Sequence, residues 1–370
     1  MTLDLPRLGR ALLKRFEVFD PVTMLLVAAL LALSVLTMFS AASEYSGRLD
    51  SHLRNLGIAL VVMWVAASLS PTLLMRTAVP LFTLGVALLL AVALFGDVSK
   101  GARRWLDLGI TRIQPSEVMK IAMPLMLAWY FHRRDGVLRW FDFALAAVLL
   151  AVPTFLIFRQ PDLGTAILVL AAGAFVIFFA GLSWRVITGL GLASLAAMPL
   201  LWSMLKDYQK QRVLTLLDPT SDPLGRGFHI IQSQIAVGSG GVWGKGWMKG
   251  TQAHLEFVPE RTTDFIFAVF AEEFGLVGAS VLLVLYLLLI GRGLYIAANA
   301  ATVFGRLLAG AITMILFTYA FVNLGMVTGV LPVVGVPLPL LSYGGTAMVT
   351  LGLGLGLLMS IQRHRTLVPS

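Results

Sequence analysis

Val258-Pro259-Glu260-Arg261-Thr262-Thr263-Asp264-Phe265-Ile266-Phe267 carries the chain from its most polar segment directly into an apolar run that continues to about residue 290. A helix needs about 20 mostly apolar residues to cross the hydrocarbon of a bilayer, so this run crosses a membrane and Asp264 stands at its boundary. The pattern recurs outward on both sides, at 22–42, 52–70, 73–95, 115–132, 141–158, 163–181, 183–203, 305–328 and 342–361. Composition agrees: of 370 residues 58% are apolar and 13% charged, against about 25% charged in soluble domains. A water-soluble fold is excluded. The reading is an all-α integral membrane protein, one polytopic domain over 1–370, with about ten transmembrane helices and one large extracytoplasmic loop, 204–263, between spans 7 and 8.

The charge of +9 sorts the loops. Arg7, Arg10, Lys14 and Arg15, the cluster Arg133, Arg134 and Arg139, the pair Arg292 and Arg306, and Arg363 with Arg365 fall on one side when every span crosses. The positive-inside rule makes that side cytoplasmic and places both termini there. Lys100, Arg103, Arg104 and Arg112 then lie outside, with further Lys and Arg between 204 and 263. These charges oppose the usual topology signal. They point to an anionic ligand or headgroup at the outer leaflet, or to loops long enough to translocate regardless of charge. A loop of this length without structure is uncommon unless it is functional.

Ionisable side chains in or beside spans face a cavity or a partner. Glu117 and Lys120 are one helical turn apart and can pair, either as a structural pin or as a cavity wall. Asp162, after Pro161, opens a span as an N-cap or as a functional carboxylate. Glu272 and Glu273 lie about 12–14 Å deeper than Asp264 along a helix and read as interhelical hydrogen bonding or a structural network. Asp264 has Arg261 one turn back and the basic loop upstream. Other chemistries are not supported. There is no cysteine, which removes disulfides and thiolate ligands. The segment around Gly244-Lys245-Gly246 lacks Walker A spacing. His52, His132, His229, His254 and His364 show no metal-ligand spacing. The prolines of 331–345 forbid a regular helix there, and irregular backbone at membrane depth must be buried in protein or line a cavity.

Four blocks in order, Arg104-Trp105 through Gln114-Pro115-Ser116-Glu117-Val-Met-Lys120, Gln160-Pro161-Asp162-Leu163-Gly164-Thr165, Pro259 through Ala268, and Pro337-Leu-Pro339-Leu-Leu-Ser342-Tyr343-Gly344-Gly345, resemble the SEDS family (shape, elongation, division and sporulation). The last block is closer to its elongation branch than to its division branch. The resemblance implies a peptidoglycan glycosyltransferase of the bacterial cytoplasmic membrane that polymerises lipid II at the outer face. It implies a class B penicillin-binding protein and other elongation-complex membrane proteins as partners, with membrane lipids around it and no nucleic acid. Asp264 matches the family's catalytic aspartate, and Glu117, Lys120 and Asp162 match positions in or near its active cavity.

The chemistry such an enzyme needs fits these residues. A carboxylate at headgroup level is the expected general base for a sugar hydroxyl, contributing about 10²- to 10⁴-fold. The departing undecaprenyl diphosphate needs positive charge, from Arg104, Arg212, Lys245 or Arg261, or from a divalent cation such as magnesium or manganese. No organic cofactor is expected. By composition alone a lipid flippase or secondary transporter fits as well.

Overall fold

In a computed structural model that describes residues 18–99, 102–107, 112–134, 136, 138–205, 207–221, 225–254 and 260–365, every apolar segment of the sequence contains helix. In chain order the helices are α1 (Pro21–Ala41), α2 (Arg48–Ser68), α3 (Pro71–Phe95), α4 (Pro115–Arg133), α5 (Trp140–Arg159), α6 (Leu163–Phe179), α7 (Trp184–Ala196), α8 (Met198–Met204), α9 (Asp207–Leu217), α10 (Arg226–Ser239), α11 (Ile266–Ala298), α12 (Val303–Val327) and α13 (Gly345–Arg363). Among the described residues, seven of these (α1, α2, α3, α5, α11, α12 and α13) are long and apolar enough to cross a bilayer. The span expected at 183–203 is bent by 50° between α7 and α8, where Pro199 in the first turn of α8 cannot continue the preceding helix.

The other two expected spans differ for a physical reason. α6 has 17 residues, short for a lone crossing. α4 carries Glu117, Lys120, His132 and Arg133 and is buried nearly all round. Protein rather than lipid surrounds α4, which touches α3, α5, α6, α12 and α13, so its composition need not satisfy hydrocarbon. α12 is likewise mostly buried, whereas α3, α5 and α11 give most of their apolar stretches to lipid. α13 lies close along α2 because Gly352 and Gly356 bring their backbone against the Ala59 and Met63 carbonyls, the small-residue packing common between membrane helices.

Helix starts are capped where sequence provides an oxygen: Asp20 accepts from Thr23 N at 2.9 Å, and Thr302 from Gly305 N at 3.0 Å. The helical expectation needs one addition, a small antiparallel sheet on the Asp264 side between α3 and α4. Its strands β1 (Asp97–Ser99), β2 (Ala102–Asp107) and β3 (Arg112–Ile113) pair in sequence order, with Val98 opposite Arg103 and Leu106 opposite Ile113. The loop at 204–263 is built rather than structureless, with α9, α10, a 3-10 turn at Pro219–Ser221 and a helical turn at Thr251–His254. Buried Ser233 of α10 donates to the Val327 carbonyl at 2.9 Å and fastens the loop to the end of α12.

Candidate active site

Asp264 is half-buried and sits in a tight turn before α11. The Glu260 carbonyl accepts from Thr263 N at 3.0 Å and Phe265 N at 3.3 Å, and Glu260 itself has φ 50. A non-glycine residue in the left-handed region costs about 1–3 kcal/mol and persists only where its surroundings fix it. Here they do. The Thr262 carbonyl accepts from Tyr343 N at 2.8 Å, the Thr263 carbonyl from Ser342 Oγ at 2.6 Å, and the Asp264 carbonyl from Asn323 Nδ2 at 2.8 Å. Asn323, fully buried in α12, also donates to the Val336 carbonyl at 2.7 Å. Three successive carbonyls are thus taken by the 336–343 segment and α12.

The connection between α1 and α2 grips the same turn from the other side. Arg261 donates from Nε to the Ala41 carbonyl at 3.1 Å, is ion-paired with Glu44, and lies 5.0 Å over the Tyr45 ring. Its side chain is 2% exposed, so it braces the turn instead of presenting a free cation. Arg48 donates to Thr262 Oγ1 at 2.8 Å and is stacked over Tyr45 and Tyr343 at 5.1 and 4.9 Å.

The proline-rich segment joins Asp264 to the first turn of α6. A Cβ added to Gly335, whose φ is 77, would lie 3.3 Å from Asp264 Oδ2. A Cβ added to Gly164 would meet the Val334 carbonyl at 3.0 Å. Two residues before Gly164, Asp162 caps α6 by accepting from Thr165 N at 3.2 Å and also accepts from Gln114 Nε2 at 3.0 Å. Arg104 of β2 donates from Nη2 to the Pro161 carbonyl, while its Nε is buried without a hydrogen bond. One to two turns into α4, Lys120 Nζ donates to Glu117 Oε1 and Tyr319 OH, both at 2.5 Å, and Thr350 Oγ1 donates to Glu117 Oε2 at 3.2 Å. This buried group ties α4 to α12 and α13.

The structure therefore brings Asp264, Asp162, Glu117, Lys120 and Arg104 to one end of the bundle, linked through α4, α6 and the proline-rich segment. Lys245 is elsewhere: its Nζ is 2.7 Å from Glu272 Oε1, which is fully buried and also accepts from Gln252 N at 3.0 Å. Its charge is spent on a structural pair, and Glu272 belongs to the network expected of it. Arg212 lies on α9, with its side chain outside the described residues. Among the described residues no three His, Asp or Glu side chains converge as metal ligands. Sequence reading missed Gln114, Asn323, Tyr319, Thr350, Gly335 and Arg48. A signal existed for Asn323, an amide within a hydrophobic span and near its end, where a polar group needs a partner. None existed for Gly335 among so many glycines.

The model of the family described as "Cell cycle protein", covering FtsW, RodA and SpoVE, matches residues 20–367. Peptidoglycan glycosyltransferase MrdB of Escherichia coli K12 is 54% identical over 94% of this chain and 95% of its own. A probable peptidoglycan glycosyltransferase FtsW of Geobacter metallireducens is 35% identical over 94% and 96%. Among solved structures, a chain from a peptidoglycan synthase complex that coordinates polymerization and crosslinking superposes with TM-score 0.82 at 35% identity, over 95% of this chain and 99% of that one. The rod shape determining protein RodA of Thermus thermophilus gives 0.71 at 32% identity, over 94% and 97%.

Proposed function

The chain belongs to the FtsW, RodA and SpoVE family of cell cycle proteins, and from that premise we infer that it is a peptidoglycan glycosyltransferase of the bacterial inner membrane. The substrate is lipid II, and the reaction runs at the outer face, where Asp264 lies. Asp264 takes the proton from the acceptor sugar hydroxyl as that oxygen attacks the anomeric carbon, and undecaprenyl diphosphate leaves from the opposite face with inversion. The observation that carries this reading is the capture of three consecutive carbonyls around Asp264. Such a scaffold fixes the direction of a carboxylate that must be held near a reacting hydroxyl.

Arg104 supports the diphosphate end of the reading, since its buried Nε–H makes no hydrogen bond among the described residues. Arg261 acts by positioning the turn. A divalent cation, when bound, would neutralise charge on the departing diphosphate. Both termini are cytoplasmic, and the partner is a class B penicillin-binding transpeptidase. Purified protein given lipid II should produce a glycan ladder on a gel. Asp264→Asn, which keeps size and shape, should lower the rate by about 10²- to 10⁴-fold with an unchanged melting temperature. Wild-type rates in that variant would remove the base assignment. Lipid exchange across liposomes without polymer would instead make the protein a flippase.

A further inference from the structure

We propose that the groove at the end of the bundle opposite Asp264, between α4, α5 and α3, is a binding site for an acidic phospholipid of that leaflet. Two cavities build it. The first, of about 800 Å³, is rimmed by Arg133, Arg134 and Arg139 at the end of α4 and the start of α5, and it runs along α5 to Leu145 and Val148. The second, of about 370 Å³, is lined almost wholly by apolar groups such as Phe82, Val86, Leu149 and Val152, and it also reaches Val148. Val148 lines both. A cationic mouth therefore adjoins an open apolar groove between α3 and α5, the shape of a headgroup followed by an acyl chain.

Charge complementarity selects the headgroup. Among the described residues the one carboxylate at the mouth, Asp142, is already engaged: it accepts from Arg139 N at 2.9 Å and Tyr130 OH at 3.0 Å, and Arg134 Nε lies 3.3 Å away. Arg133 and Arg139 are exposed; Arg133 has no acidic partner among the described residues, and Arg139 acts on Asp142 only through its charge, without an ion pair among the described residues. The mouth keeps a net positive charge, and basic pockets beside membrane helices attract anionic headgroups. Trp140 and Phe141, stacked 3.6 Å apart and largely exposed, place the mouth at headgroup depth, where amphipathic rings collect. The position at the far end from Asp264 separates this site from the lipid-linked substrate.

The test uses the full chain, delipidated in detergent and titrated by native mass spectrometry with phosphatidylglycerol and phosphatidylcholine of identical acyl chains. Phosphatidylglycerol should bind the wild type about twenty-fivefold more tightly, at about fivefold for each of two surface charges. Arg133→Gln with Arg139→Gln should abolish that preference. Val148→Trp, which leaves every arginine in place, should weaken both lipids by blocking the groove, and glycerol phosphate should displace neither. Equal binding of the two lipids by the wild type, a preference surviving in the double variant, or displacement by glycerol phosphate would each overturn the proposal. If the double variant does not fold, Val148→Trp decides: unchanged lipid binding there refutes the groove.

Discussion

Asp264 could be singled out by position, as a carboxylate one residue before an apolar run, and its resemblance to a family motif strengthened it. Its surroundings could not, because they come from residues such as Asn323 and Ser342, whose approach depends on how distant helices pack. Lys245 shows the converse. Its charge looked available while Glu272, 27 positions later, was read separately. The bare backbone of Gly335 leads to a prediction. In Gly335→Ala the methyl would press on Asp264 Oδ2 from 3.3 Å at a φ of 77, so the carboxylate must shift by a few tenths of an ångström. A strained backbone costs about 1–2 kcal/mol, and a displaced base should lower turnover roughly tenfold. Polymer yield and thermal unfolding, measured side by side, separate the two effects; an unaltered turnover would show that this approach does not matter.

Helices facing lipid were legible because hydrocarbon imposes a composition, and α4 was legible as a helix but not as the buried centre that its polar content marks. The least foreseeable element feature is the break in α11. Gly275 has φ 63 and ψ −161, so the helix loses regular geometry there. The carbonyls of Glu272 and Glu273 are taken instead by Lys245 N and Gly246 N, both at 3.0 Å. Leu276 N and Val277 N in turn donate to the carbonyls of Gly241 and Val242. The glycine-rich loop thus completes the broken helix. A Cβ at Gly275 would come within 2.3 Å of Gly244 N, so Gly275→Ala must eject the loop. We predict a loss of about 2–4 kcal/mol from overpacking and left-handed strain, read as a lower melting temperature, and faster proteolysis within 238–247. Slower or unchanged proteolysis would contradict this account of the loop.

Across the whole molecule, the first and eleventh helices are joined at the face away from the site. Arg292 holds Asp20 through two hydrogen bonds, at 3.0 and 2.5 Å. Burial alone would raise the Asp20 pKa, but the bonds from Arg292 and Thr23 and the guanidinium charge outweigh it and hold the carboxyl below its usual value. Such a group stabilises the fold fully above its unfolded pKa of about 3.9, and that stability is lost as pH falls through the depressed folded value. Asp20→Asn should therefore be less stable than wild type at pH 7, by about 1.5–3 kcal/mol, and the gap should narrow progressively as pH falls below about 3.9. A gap independent of pH would dismiss the ionic origin. At this scale the sequence made the membrane class and helix order readable, because both follow from local apolar length. The strands of 97–113 escaped because they are short and lie in a charged loop. The hold of the 41–48 connection on Arg261 and Thr262 spans more than 200 positions of chain. Directed evolution confined to the turn of Asp264 would thus leave out part of what aims its carboxylate, and a graft that transplants the turn without its distant first hairpin would carry the carboxylate without its bearing.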